Sequence, residues 1–223
     1  MERFAEVATF GNVFQHGYDA SITGHANRGK WNEIYFKNNN PIVLELGCGK
    51  GEYTVGLAER FPNKNFIGID IKGNRLWKGA KHALETGLSN VAFIRTRIDF
   101  IESLFAANEI SEIWITFPDP QPQESRELKR LSGPVFLVKY GSILKKEGQI
   151  HLKTDSFPLY DYTLSLCKAL AYPVQFATDN LYELVHNSDD SILQAAQQIQ
   201  TYYEAKFRNQ GIQINYLRFG LLN

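Results

Sequence analysis

Along the chain, short apolar runs alternate with segments in which apolar residues recur at helical spacing. The runs at 41–46, 65–69, 91–95, 112–116 and 148–153 predict strands. The segments between them, 51–61, 73–87, 98–106, 132–145 and 157–171, predict helices. The first strand reads Ile42-Val-Leu-Glu-Leu46, nearly apolar throughout, as a strand covered on both faces requires. Regular strand–helix alternation predicts right-handed crossovers, and so an α/β fold with a mostly parallel sheet and helices on both faces. Gly148, after Leu144-Lys-Lys-Glu147, reads as a helix stop feeding the next strand. The pattern then changes. Residues 174–178 predict a short strand, 191–207 one helix, and 212–219 a late antiparallel strand. Residues 1–40 are polar, rich in Gly and Asn, and carry scattered aromatics (Phe10, Phe14, Tyr18, Trp31, Tyr35, Phe36). They predict an N-terminal extension that packs its aromatics on a single domain spanning 41–223.

Composition acts mainly by exclusion. A chain of 223 residues, 43% hydrophobic and 22% charged, suits one soluble globular domain with a sizeable core. Its 24 basic and 24 acidic residues give no net charge, so a nucleic-acid partner needs a local basic patch. Cys48 lies in a glycine turn and Cys167 in a helical pattern, which predicts no structural disulfide and a reducing, cytoplasmic location. His16, His25, His82, His151 and His186 lack metal-ligand spacing, so no metal is expected. The N-terminus lacks the apolar core of a signal peptide. No apolar run approaches the ~20 residues of a membrane span.

The chemistry concentrates at Leu44-Glu-Leu-Gly-Cys-Gly-Lys-Gly-Glu52, a strand running through a glycine turn into a helix. Gly47, Gly49 and Gly51 allow positive φ and close approach of the backbone to a ligand. A dinucleotide fingerprint needs its third glycine at the sixth position, where this chain has Glu52. A pyrophosphate at the following helix N-terminus would meet that carboxylate. Glu45 precedes the turn, and Asp70 ends the next strand, Asn65-Phe-Ile-Gly-Ile-Asp70. Two acids without a phosphate-binding lysine–serine pair suit a cationic ligand free of phosphate. S-adenosyl-L-methionine is such a ligand, and Asp70 would accept hydrogen bonds from its ribose hydroxyls. The expected fold is therefore a Rossmann-like class I S-adenosylmethionine-dependent methyltransferase.

A second set of residues falls at the same edge of the predicted sheet. Strand 112–116 runs into Phe117-Pro-Asp-Pro-Gln-Pro122, where two fixed proline φ angles flank Asp119 and present its carboxylate to the ligand crevice. Arg126, Lys129 and Arg130 cluster just beyond and can meet phosphates. Lys153-Thr-Asp155 ends the next strand, and Thr201-Tyr-Tyr-Glu204 follows late in the chain.

Together these segments resemble the bacterial tRNA (guanine-N7)-methyltransferase family over roughly residues 40–215, in order and spacing. The resemblance implies that Glu45, Gly47, Cys48, Gly49, Asp70, Ile71, Arg97, Ile98 and Asp119 contact the cofactor, with Asp119 at the methyl-transfer centre. It implies that Gln123, Arg126, Lys129, Arg130, Asp155, Thr201 and Glu204 face the substrate, a tRNA methylated at a guanine N7 in the variable loop. Two positions depart from the family pattern. Gln123 stands where a substrate-contacting lysine is usual, followed by Glu124 and Glu127 instead of a dense basic run. Arg97 stands where an acid is common. A methyltransferase of a small molecule or protein, and a non-catalytic RNA-binding subunit, are the alternative readings. The oligomeric state is expected to be monomer or homodimer.

Overall fold

The computed structural model describes residues 2–183 and 189–222. Among them eight strands form one sheet: β1 Val13–Gln15, β2 Ile42–Leu46, β3 Asn65–Asp70, β4 Val91–Arg95, β5 Ile110–Thr116, β6 Leu144–Thr154, β7 Val174–Thr178 and β8 Asn215–Gly220. Their order across the sheet is β1-β4-β3-β2-β5-β6-β8-β7. Pairings from β1 to β6 are parallel, and β8 lies antiparallel to both β6 and β7. The chain therefore turns one way from β2 to β3 and reaches β5 on the opposite side, which opens a crevice above the carboxyl end of β2.

Nine helices accompany the sheet: α1 Glu2–Val7, α2 Tyr18–Thr23, α3 Glu52–Arg60, α4 Gly73–Glu85, α5 Ile101–Leu104, α6 Pro134–Ile143, α7 Phe157–Ala169, α8 Ser191–Gln198 and α9 Tyr202–Asn209, counted among the described residues. Alternation along β2 feeds two cores. Ile42, Leu44 and Leu46 join one cluster with residues of α5, α6 and α7, while Val43 joins the other with residues of α3, α4 and α8. Both faces are covered, which explains the near-continuous apolar strands.

Two expectations are corrected, and one element is added. The segment 191–207 is two helices, because Thr201 adopts an extended conformation and caps α9, its side chain accepting from the Glu204 N–H. Gly148 does not stop a helix. α6 already ends at Ile143, and Gly148 lies inside β6 after Glu147 at φ 67°, at an irregularity in the β5–β6 register. There a Cβ would lie 2.8 Å from the Lys145 carbonyl oxygen. Within residues 1–40, Val13–Gln15 adds an edge strand to β4, which the polar composition did not signal. Trp31 is fully buried there, its indole N–H donating to the Leu104 carbonyl at 3.0 Å.

Candidate functional site

Above the carboxyl end of β2, Gly47, Gly49 and Gly51 all take positive φ, at 74°, 55° and 72°. The turn is tied internally. The N–H groups of Gly47 and Cys48 both donate to the Ile69 carbonyl, that of Gly49 to Asp70 Oδ2 at 2.9 Å, and that of Gly51 to the Cys48 carbonyl. These amides are thus turned away from any phosphate, in accord with the phosphate-free ligand inferred from the sequence. Asp70 Oδ1 also accepts from the Lys72 N–H at 2.8 Å, so one carboxylate sets both the glycine turn and the start of α4.

Two further glycines make the turn possible, and their spacing alone did not mark them. A Cβ on Gly79 of α4 would sit 2.7 Å from the Lys50 carbonyl and 2.9 Å from the Gly51 Cα, so α4 can approach the turn only with glycine there. A Cβ on Gly68 would meet Cys48 Sγ at 2.9 Å and Thr54 Oγ1 at 2.7 Å. Cys48 is buried beneath the turn, and burial pushes its thiol well above the usual range. It serves as neutral packing.

Glu45 is almost fully buried. Its carboxylate accepts from the Thr116 hydroxyl at 2.6 Å and from the Thr54 hydroxyl. Burial raises its pKa to about 7, against the opposing pull of the two threonines. Thr54 and Thr116 were not singled out in the sequence; they lie on α3 and β5, facing β2 from either side.

Two cavities meet at Gly47. One, of about 540 Å³, is walled by Asp70, Ile71, Thr96, Arg97, Ile98 and Lys129. Ile71 is 54% exposed, an apolar surface left open in the wall. The Thr96 hydroxyl is buried with no hydrogen-bond partner among the described residues. No Cβ contact would arise within 4 Å at Gly47, so the space over the turn is open. An orphaned hydroxyl, an acid and an open apolar face fit a ribose and an adenine ring. The second pocket, of about 90 Å³, is formed by Glu45, Lys50, Arg75, Thr116, Phe117 and Tyr203 with the turn. Its buried acid fits an ammonium group. The residues present therefore suit S-adenosylmethionine. Arg97 is exposed and its Nε donates to Asp99 Oδ2 at 3.2 Å, so the acid at this rim comes from two residues further on.

At the end of β5 the backbone is strained. Phe117 has φ 48° and Gln121 φ 45°, both unusual for non-glycine residues, on either side of Pro118-Asp-Pro120. Asp119 is exposed on this turn, and its Oδ1 accepts from the Gln121 N–H at 3.1 Å. It stands on the rim and not in the wall of either cavity. Asp155, half-buried beyond β6, has a pKa raised by burial. Gln123 is exposed at the start of a 3₁₀ turn, Glu124–Lys129.

Two expected substrate residues are otherwise engaged. Glu204 is fully buried, its carboxylate 2.7 Å from Lys153 Nζ and 2.6 Å from the Tyr182 hydroxyl, so it fixes α9 and does not face the crevice. Lys153 also donates to the carbonyls of Ala196 and Ile199 at the end of α8, and its own carbonyl receives the Phe117 N–H at 2.8 Å. Burial lowers its pKa to about 8, against the pull of Glu204. Arg130 is half-buried; its Nε donates to the Gln121 carbonyl at 3.2 Å and its guanidinium lies 4.2 Å from the Tyr162 ring centroid. Arg126 and Lys129 are exposed, and Thr201 and Tyr203 reach the small pocket. Among the described residues no cluster of His, Cys, Asp and Glu could hold a metal ion, and no helix is long and apolar enough to cross a membrane. His186 lies outside the described residues.

Known proteins resemble this chain in sequence and in fold. A family model described as "Putative methyltransferase" matches residues 39–217. The tRNA (guanine-N(7)-)-methyltransferase of Christiangramia forsetii is 49% identical over 98% of this chain and 96% of its own length. That of Bacteroides thetaiotaomicron is 47% identical over 99% of this chain and 85% of its own. Among solved structures, the 16S rRNA methyltransferase KamB superposes with a TM-score of 0.59 at 13% identity, covering 86% of this chain and 92% of that one, a likeness of fold. The chain belongs to the tRNA (guanine-N7)-methyltransferase family, a family of S-adenosylmethionine-dependent class I enzymes.

Proposed function

We propose that this protein methylates N7 of a guanine in the variable loop of tRNA. The observation that carries the reading is one shared edge. The glycine turn with Glu45 and Asp70, the strained turn with Asp119, and Asp155 after β6 all stand at the carboxyl end of one parallel sheet. S-adenosylmethionine supplies an electrophilic methyl group. The chain's own residues supply position and charge. Guanine N7 is an unprotonated acceptor on the Hoogsteen edge, so no general base is needed before attack. Positive charge passes from sulfur to purine, and none is newly made. In-line positioning should therefore carry most of the acceleration. Asp119 and Asp155 accept from the N1–H and N2–H₂ of the guanine, which orients the ring and favours it as it becomes cationic. The proline-flanked, positive-φ turn holds Asp119 without reorganisation at the moment of transfer.

RNA would be held by local side chains and by its folded shape, since the protein has no net charge. Cys48 and Cys167 are free and buried, in keeping with action in the cytoplasm. The test is to incubate the protein with labelled S-adenosylmethionine and unmodified tRNA, then map the label by cleavage at 7-methylguanosine. Label at one variable-loop guanine is expected. Unlabelled tRNA, or label on another base, would overturn the proposal.

A further inference from the structure

Phe117 stands in a conformation that its own sequence does not favour. Its φ of 48° is rare for a residue with a Cβ, and Pro118, next in the chain, biases the residue before it towards extended backbone. Such a conformation persists only where its surroundings fix it. Here the surroundings come from β6 and α9. The Phe117 N–H donates to the Lys153 carbonyl at 2.8 Å. Lys153 Nζ lies 5.8 Å from the Phe117 ring centroid, and the Phe207 ring of α9 packs against the same ring with centroids 6.2 Å apart. Glu204, whose carboxylate lies 2.7 Å from Lys153 Nζ, precedes Phe207 by one helical turn and so shares its face of α9. α9 thus grips the residue that opens the Pro118-Asp-Pro120 turn both through Lys153 and through Phe207.

We infer that Phe207 is a positioning residue for methyl transfer: its ring, packed on Phe117, holds the turn that presents Asp119 to the guanine. This deepens, and rests on, the reading of Asp119 as a contact to the base. Phe207 acts through Phe117 and has no contact of its own with the reacting atoms. Without the Phe207 ring, Phe117 is free to relax towards the extended backbone that a residue before proline prefers, and Asp119 moves with it. A displacement of about 1 Å at a reacting centre can cost on the order of 10²-fold in rate. The contact also ties the turn to the helix that carries Tyr203 into the small pocket, so one helix sets the base-facing acid and part of the pocket wall together.

The test is a double-variant cycle in single-turnover methylation of tRNA, with S-adenosylmethionine and tRNA both saturating. Phe207→Ala should lower the rate on the order of 10- to 10²-fold. Its dissociation constants for cofactor and tRNA should stay within about threefold of the parent. In the Asp119→Asn background the same change should cost less than about threefold, because the group it positions is already gone. Phe207→Leu keeps bulk against Phe117 and should fall between the parent and Phe207→Ala. If melting curves show that Phe207→Ala does not fold, Phe207→Leu carries the cycle, and a parental rate in it overturns the inference. A loss that multiplies in full with that of Asp119→Asn also overturns it, while leaving Asp119 in its role. So does weakened tRNA binding at an unchanged saturated rate, the mark of a helix that only holds Thr201 and Tyr203. If Asp119→Asn itself runs within about threefold of the parent, the reading of Asp119 falls, and this inference with it.

Discussion

Glu45 shows how one residue can couple the cofactor to pH. Its pKa near 7 means that the folded protein favours its protonated form. The stabilising contribution is therefore complete below the ordinary carboxylate range near 4.5 and is lost as pH rises through about 7. A ligand ammonium on Glu45 favours the carboxylate instead. Binding S-adenosylmethionine at pH 6 should then expel about one proton, and affinity should climb as pH rises through about 7. Calorimetry in buffers of different ionisation enthalpy measures the proton count. Glu45→Gln should flatten the profile, and absence of proton release in the parent would remove Glu45 from the cofactor contact. Asp119 poses a different question, because it sits on a rim. Asp119→Asn should leave cofactor binding intact and lower single-turnover methylation on the order of 10²–10³-fold. A rate within about threefold of the parent would leave the turn as scaffold and pass its role to Asp155. The residues that carry these arguments, Glu45, Asp70 and Asp119, were legible because an acid at a strand end is conspicuous. Thr54, Thr96 and Thr116 were not, since a threonine's partner is set by tertiary packing.

Among elements, the α8–α9 corner depends on Lys153. This buried cation satisfies the last carbonyls of α8 and the acid in the first turn of α9, favourable positions for its charge and for that of Glu204. Lys153→Met leaves Glu204 buried without its counter-charge and should cost about 3–5 kcal/mol in urea unfolding. The double variant Lys153→Met, Glu204→Leu should recover most of that loss. A double variant as unstable as the single would mean that the pair's packing matters more than its charge. Thr201 and Tyr203 ride on the same corner, so both variants should also weaken substrate binding. The central strands and their helices were readable because each apolar run is short and bounded by glycine or polar residues. The corner was not. Ile192 to Lys206 keeps a helical period across the break, but Ile199 turns extended to end α8 and Thr201 then caps α9. The bulge at Glu147 and Gly148 was missed for the same reason: a glycine before a strand and a glycine within a bulge look alike in one dimension.

For the whole molecule, charge balance makes RNA affinity a local matter. Arg126 and Lys129 are exposed near the cofactor cleft, whereas Arg130 is spent on Gln121 and Tyr162. Arg126→Ala with Lys129→Ala should weaken tRNA binding and lower the slope of log affinity against log salt by about 1–2. Arg130→Ala should leave the slope unchanged and lower the melting temperature. An unchanged slope in the first variant would make the segment solvated surface. Lys145→Ala, at the opposite end of the sheet, is the control.

The position of β8 also bears on how the protein is made. It is the last strand in chain order, yet it lies between β6 and β7. On the ribosome, β7 emerges before β8, the strand it pairs with, and β6 waits with one edge of backbone amides and carbonyls open. Each nascent chain passes through an interval in which the backbone edge of β6 is bare, open to pairing with a neighbouring chain. The late segment that completes the sheet thereby also ends the period of greatest risk of aggregation, and translation pausing just before residues 215–220 would prolong it.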